Sequence, residues 1–79
     1  MAGNDRVKNV NLAEPEVGRT ALMFASYYGN MDAVEFLAAS DAVAQIVDKR
    51  GRSSLHYAAI NDNAQLIETI FLHAKANPA

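Results

Sequence analysis

Residues 18–37 read GRTALMFASYYGNMDAVEFL, and residues 51–70, which lie 33 positions further along the chain, read GRSSLHYAAINDNAQLIETI. The two segments align without a gap. Their identical pairs are Gly18/Gly51, Arg19/Arg52, Leu22/Leu55, Ala25/Ala58, Asn30/Asn63 and Glu35/Glu68, and their conservative pairs include Thr20/Ser53 and Phe24/Tyr57. A fixed period of this length indicates stacked supersecondary units, each of which buries its apolar face against its neighbours.

Each copy of the repeat predicts two short helices joined by a turn. In the first copy, Thr20 is placed to cap one helix and Asn30 to cap the next, because their side-chain oxygens can accept from free backbone N–H groups. Gly29 ends the first helix because glycine adopts positive φ without strain. The sequence therefore predicts an all-α fold, with no sheet beyond a hairpin between the connecting loops and with helices over residues 21–28, 31–39, 54–61 and 64–75.

The composition limits the size and the functional class of the protein. The chain has 79 residues, no cysteine and a formal net charge of −2. This length allows one small domain, and the lack of cysteine excludes a disulfide framework and a thiolate metal site. The charge gives no general attraction to nucleic acid or to an anionic membrane. No apolar run reaches the about 18–20 residues of a membrane span. We expect a cytoplasmic or nuclear protein that binds neither nucleic acid nor membrane.

The residues within each copy resemble the ankyrin repeat, whose pattern is G-x-T-P-L-H-x-A-A-x-x-G followed by a second helix. The first copy matches it at Gly18, Thr20, Leu22, Ala25 and Gly29, and the second at Gly51, Ser53, Leu55, His56, Ala58 and Ala59. The resemblance covers roughly residues 10–76 and implies an ankyrin-repeat solenoid fragment with extended finger loops. It divides this single domain into an N-terminal segment and finger (1–17), repeat 1 (18–50) and repeat 2 with a C-terminal cap (51–79).

The resemblance also implies a non-catalytic module that binds another protein through its finger loops and first helices. The sequence has no G-x-S-x-G elbow, no phosphate loop of the G-x-x-x-x-G-K type and no H-E-x-x-H motif. Its two histidines lie outside any ligand cluster, whereas a metal site needs three or four converging ligands. We therefore expect no catalysis, no cofactor and no metal. The alternative is a structural element that assembles through its stack ends, with a second copy or with further repeats.

Tyr27 and Tyr28 are the first candidates for contact with a partner protein. Neighbouring helical residues point about 100° apart, so a single buried stripe cannot hold both. They occupy the end of the first helix, where ankyrin repeats commonly touch their targets, and Ile60 and Asn61 are their equivalents in repeat 2. Tyrosine is enriched among binding hot spots. We predict that Tyr27, Tyr28 and Ile60 bind the partner. In the alternative, one tyrosine packs under the finger and the other covers a helix end.

Charged residues mark the tips of the two finger loops. Lys49, Arg50 and Arg52 make the second tip basic, and Glu14 and Glu16 make the first tip acidic. We predict that the three basic residues also contact the partner. The alternative is a pair of solvated turns that attract each other weakly.

Four residues are predicted to have structural roles. The resemblance implies that His56 hydrogen-bonds to the hydroxyl of Ser53 and to finger backbone, and that Gly18 and Gly51 form the turns before the helices. Met23 takes the histidine position in repeat 1, so we expect the first helix of that repeat to be held less rigidly.

The last helix carries more apolar residues than two repeats can cover. Solenoids normally need about three repeats and polar ends. We expect Phe71 or Leu72 to be exposed and one end of the stack to be covered by a second copy, a partner or further repeats. In the alternative, both side chains fold inward and the helix caps itself.

Overall fold

The computed structural model of the chain describes residues 10–76. The predicted helix bounds are confirmed, except that the last helix is one residue longer, and the described residues contain no strand beyond one isolated antiparallel bridge between Val47 and Ser53. Expectations for residues 1–9 and 77–79 lie outside this range. The four helices are α1 (Ala21–Tyr28), α2 (Met31–Ala39), α3 (Ser54–Asn61) and α4 (Ala64–Ala76).

Local capping interactions fix the starts and ends of the helices. The Thr20 hydroxyl accepts from the N–H of Met23 at 3.4 Å, and the Asn30 side chain accepts from the N–H of Ala33 at 3.2 Å. Gly29 ends α1 with φ of 69°, and Asp62 ends α3 with φ of 55°. Asp is one of the few residues other than glycine that adopts this conformation readily. The aspartate at the second turn therefore replaces the glycine of the first.

The core lies between the two helical hairpins. The first helices α1 and α3 pack side by side, and the second helices α2 and α4 form the adjacent layer. Ser26 and Ala58 are fully buried at the contact between α1 and α3, where small side chains allow the helix axes to come close. Each large apolar side chain buried here contributes about 1.5–3 kcal/mol. The largest fully buried apolar residues are Leu22, Met23, Val34, Leu66 and Ile70.

The first finger loop (residues 11–19) and the second finger loop (residues 43–53) lie against each other. The N–H of Lys49 donates to the carbonyl of Val17 at 2.7 Å, which joins the two tips. Within the N-terminal segment and finger (1–17), Val10 has helical backbone, so the extended part of the first finger begins after it. The Asn11 side chain accepts from the N–H of Val43 at 2.8 Å, which fixes the start of the extended segment against repeat 1.

Candidate protein-binding cleft

A cleft of about 360 Å³ lies between α1, α3 and the two finger loops. It brings together four of the six residues that the sequence analysis predicted to bind a partner, namely Tyr27, Tyr28, Arg52 and Ile60. Lys49 and Arg50 do not line it. The complete lining is Arg19, Met23, Phe24, Tyr27, Tyr28, Arg52, Tyr57 and Ile60. We call this surface the cleft.

Three tyrosines form a continuous row along the cleft. The ring of Tyr27 meets that of Tyr28 at a centroid distance of 5.1 Å and that of Tyr57 at 6.1 Å, both edge to face. Tyr27 and Tyr28 are 48% and 73% exposed, whereas Tyr57 is only 4% exposed. Neither Tyr27 nor Tyr28 is buried, so the row offers two accessible aromatic rings supported by a fixed third one.

An arginine from each finger loop lies over an aromatic ring of the following helix. The guanidinium carbon of Arg19 is 4.9 Å from the ring centroid of Phe24, and that of Arg52 is 5.0 Å from the ring centroid of Tyr57. Such cation–π contacts hold the planar guanidinium in a defined orientation. The two pairs occupy equivalent positions of the two repeats, so the cleft contains the same arrangement twice.

Asp48 organises the second finger loop and the wall of the cleft. Its Oδ1 accepts from the N–H groups of Arg50 and Arg52, both at 2.9 Å, while its Oδ2 accepts from the Tyr57 hydroxyl and from Arg52 Nε. Burial alone would raise the pKa of Asp48, but these hydrogen bonds and the Arg52 charge hold that pKa well below its ordinary value. Burial and the same hydrogen bond raise the pKa of Tyr57.

Glu14 has the corresponding role in the first finger loop. Its carboxylate accepts from the N–H groups of Glu16, Val17 and Arg19, and from Arg19 Nε at 3.3 Å. The bond from the Arg19 N–H is the chief cause that lowers the pKa of Glu14 to about 2. Glu14 is therefore more than a solvated charge at the fingertip, because its oxygens hold the loop backbone.

The three basic residues of the second finger do not form one patch. Lys49 Nζ donates to the carbonyl of Pro15 on the first finger. Arg50 is exposed at the tip, and Arg52 lies between Asp48 and Tyr57 at the cleft. Of the three, only Arg52 can therefore contact a partner in the cleft.

The predicted structural residues lie at the starts of the helices. His56 is exposed, and its Nδ1 accepts from the N–H of Ser53 at 3.3 Å and lies 3.2 Å from the Ser53 hydroxyl. In the described part of the chain, the Ser53 N–H is the one finger backbone group that bonds to His56. Gly18 and Gly51 have φ of 84° and 77°, as turn glycines require.

Met23 fills the histidine position of repeat 1 in a different way. Its side chain is buried, and its Sδ accepts weakly from the N–H of Thr20 at 3.5 Å. The N-terminal capping arrangement of α1 is therefore kept without a histidine.

Several residues that line the cleft were not predicted from the sequence, chiefly Arg19, Phe24 and Tyr57. A usable signal was present, because Arg19/Arg52 and Phe24/Tyr57 are matched pairs in the repeat alignment. A charged residue kept at the same position of both repeats, five residues before a position that is aromatic in both, is a pattern that packing alone does not require.

Within residues 10–76, three or more His, Asp or Glu side chains nowhere come together in a way that could hold a metal ion. The helices of this part of the chain are all too short or too polar to cross a membrane.

Comparison with known families agrees with this architecture. A family model described as ankyrin repeats, in three copies, matches residues 2–79. No curated protein matches the chain. Ankyrin repeats generally act as non-enzymatic modules that bind other proteins. The match spans nearly the whole sequence and agrees with the paired helices and finger loops, so the chain belongs to the ankyrin repeat family.

Proposed function

We propose that this domain is a non-catalytic interaction module that binds a partner protein in the cleft. The observation that carries the proposal is the grouping of Tyr27, Tyr28 and Ile60, three exposed and largely apolar side chains, on one concave surface. Monomeric proteins rarely keep such groups exposed together unless they bind something. Tyrosine adds a hydroxyl to a large contact area, which suits it to an interface.

The wall of the cleft is already ordered before any partner binds. Asp48 holds the finger backbone, Arg52 and Tyr57 in one hydrogen-bonded group. A surface fixed in this way loses little side-chain freedom on association, which favours affinity. The setting that we propose for the module is the cytoplasm or the nucleus, which suits a chain without cysteine.

The test is affinity capture from cell extract, comparing the wild-type domain with a Tyr27→Ala/Tyr28→Ala variant. Phe36→Ala is the matched control, because Phe36 is an exposed aromatic residue on α2, outside the cleft. We expect a specific partner to be lost with the double variant and kept with the control.

NMR gives the second arm of this test. Shifts confined to the second helices when the captured partner is added, at Glu35, Phe36, Glu68 and Thr69, would place the interface on the back and contradict the proposal.

A second candidate function, assembly through the stack ends, is favoured by a comparison of equivalent positions. Leu22, Met23 and Ser26 are 2%, 1% and 0% exposed because repeat 2 covers them. Their equivalents in repeat 2 are Leu55, His56 and Ala59; His56 and Ala59 are exposed, and Leu55 is half-buried. Repeat 2 thus carries at its free end the same kind of surface that it covers on repeat 1. Among the described residues, no further repeat covers that surface.

A further inference from the structure

The arginines of the cleft have donor groups left over for a ligand. Arg19 and Arg52 each use Nε to bind a carboxylate, at 3.3 Å in both cases. In the described part of the chain, neither guanidinium makes a further hydrogen bond through its two terminal amino groups. About a third of each side chain is exposed, with relative accessibilities of 34% and 33%. Two oriented, accessible donor pairs therefore lie on the surface already proposed to bind a partner.

The chemistry of these donors favours a carboxylate over a neutral group. A guanidinium edge matches the two oxygens of a carboxylate, and the resulting charge-assisted bonds are about twice as strong as neutral ones. No acidic residue lines the cleft. Glu14 and Asp48 are close to the arginines in sequence, but their oxygens already accept from finger backbone N–H groups. Both arginines can therefore donate hydrogen bonds to a second carboxylate that belongs to another molecule.

The spacing of the repeats sets the spacing of the carboxylates. Packed helices lie about 8–10 Å apart, and Arg19 and Arg52 occupy equivalent positions of neighbouring repeats. A peptide in the polyproline II conformation has three residues per turn and rises about 3.1 Å per residue, so side chains three residues apart share one face and lie about 9 Å apart. Acidic side chains three residues apart would therefore reach the two arginines together. Tyr27 and Phe24 line the same cleft and offer ring surface for an apolar side chain.

We propose that the cleft recognises an acidic peptide segment of the partner protein, in which two carboxylate side chains three residues apart bind Arg19 and Arg52. This inference rests on the proposed function and adds the chemistry of the partner to it. Orientation, rather than bulk charge, gives the specificity, because each arginine is fixed by an aromatic ring and by a carboxylate of its own finger.

The experiment titrates two synthetic peptides into the isotope-labelled domain at fixed ionic strength. One is acetyl-GGELLEGG-amide, and the other is its uncharged counterpart acetyl-GGQLLQGG-amide. We expect the glutamate peptide to shift the Nε–H signals of Arg19 and Arg52 and to bind at least about 10-fold more tightly than the glutamine peptide, which corresponds to about 1.4 kcal/mol.

Variants separate the geometry of the arginines from their charge. Arg52→Lys keeps the charge and loses the planar fork, so we expect it to abolish most of the preference for glutamate. Arg50→Lys is the matched control, because Arg50 is exposed on the same finger and does not line the cleft. Arg19→Lys provides an independent variant if Arg52→Lys disturbs the finger.

Each remaining outcome overturns the inference. Equal binding of the two peptides, or an equal effect of the Arg50→Lys control, would exclude carboxylate recognition and leave binding through the tyrosines intact. Absence of any shift with either peptide would also overturn it, while partner capture through Tyr27 and Tyr28 is judged by its own test. A short single-stranded oligonucleotide that shifts the arginine signals when the peptides do not would assign the donors to phosphate.

Discussion

Glu14 holds the first finger loop in the way that Asp48 holds the second, although the two residues are 34 positions apart in a chain with a 33-residue repeat. Each carboxylate lies 3.3 Å from the Nε of the arginine that follows, Arg19 or Arg52. The first loop has one more residue between carboxylate and arginine, and glutamate is one methylene longer than aspartate. The same arrangement is therefore built from a different residue at a shifted position.

The two finger carboxylates predict a loss of stability in acid. The folded-state pKa of Glu14 is lowered from 4.5 to about 2, and that of Asp48 lies well below its ordinary value of 3.8. Because both groups are more acidic in the folded protein, their contribution is fully present above these ordinary values. It is lost as the pH falls towards the folded-state values. Thermal unfolding in a pH series should show a Tm that is constant near neutrality and decreases once the pH is lower than about 4.5.

Substituting the two carboxylates tests whether they cause this loss of stability in acid. Asp48→Asn and Glu14→Gln should lower the Tm at neutral pH and flatten its dependence on acid. Glu16→Gln is the control, since Glu16 is exposed at the same fingertip as Glu14. A similar flattening in the control would show that general charge, rather than these hydrogen bonds, sets the acid sensitivity.

The turn glycines Gly29 and Gly51 should differ in their tolerance of a side chain. Both have positive φ, so alanine at either position should destabilise the domain by about 1–2 kcal/mol. A Cβ on Gly51 would meet nothing within 4 Å, whereas one on Gly29 would lie 3.1 Å from the Asn61 side chain. Asn61 donates to the carbonyls of Ser26 and Tyr27 at the end of α1. Gly29→Ala should therefore cost about 1 kcal/mol more than Gly51→Ala.

Denaturant unfolding measures this difference, and the background variant Asn61→Ala identifies its cause. In that background the cost of Gly29→Ala should fall to that of Gly51→Ala, because no amide remains to be displaced. Equal costs of the two alanine variants in the wild-type background would refute the coupling.

The helices were predictable from the sequence because their determinants are local. Thr20, Gly29 and Asn30 act on the backbone within a few residues of themselves. The cleft was predictable only in part. Tyr27 and Tyr28 could be assigned to an exposed helix end, but the part that Arg19 plays depends on how repeat 2 packs beside repeat 1.

The finger loops show the same limit. Lys49, Arg50 and Arg52 lie within four consecutive residues and were predicted to act together. Contacts across the two fingers separate them, with Lys49 on the carbonyl of Pro15 and Arg52 in the cleft. The 33-residue repeat spacing places Asp48 opposite Pro15 and so conceals the role of Glu14, because the first loop contains one extra residue.

The Ser53 and His56 side chains should contribute to stability as a pair. The Nδ1 of His56 bonds only with Ser53 among the described residues, at its N–H and its hydroxyl. Ser53→Ala and His56→Ala should each lower the free energy of unfolding by roughly 1 kcal/mol. Because they remove a shared interaction, the double variant should lose less than the sum. Additive losses would show that the two side chains act separately. Unchanged stability with loss of partner binding would contradict a structural role for His56.

The two exposed tyrosines should differ in their effect on folding and agree in their effect on binding. Truncating either one to alanine should cost on the order of 1–2 kcal/mol of affinity for a captured partner. Tyr27 also contacts the buried ring of Tyr57, whereas Tyr28 touches only Tyr27 among the aromatic residues described. Calorimetric titration and thermal melting should therefore show a small stability loss for Tyr27→Ala and none for Tyr28→Ala. If Tyr28→Ala reduced binding and also unfolded the domain, the loss of binding would not identify Tyr28 as a hot spot.

The open end of repeat 2 predicts self-association. Phe71 and Leu72 are each 54% exposed, so the expectation that this helix keeps an uncovered apolar surface is confirmed, although Ala39, the equivalent of Leu72 in repeat 1, is exposed as well. On α3, His56 and Ala59 are exposed, whereas their equivalents on α1, Met23 and Ser26, are covered by repeat 2. At the opposite end of the stack Ala21 is exposed, and its equivalent Ser54 is buried against repeat 1. Among residues 10–76, positions on both halves of the inter-repeat interface are thus exposed, and we predict that a second copy stacks head to tail.

Sedimentation from micromolar to millimolar concentration tests this prediction with two lysine variants. Ala59→Lys places a charge where Ser26, its equivalent in repeat 1, is fully buried, and should abolish association without unfolding an exposed helical position. Leu72→Lys is the control, because its equivalent Ala39 is exposed even though repeat 2 covers repeat 1. It should leave head-to-tail stacking intact. If both variants lost self-association equally, the contact would instead lie on the outer face of α4. A strictly monomeric wild-type domain with cooperative melting would show that two repeats are stable with this end open.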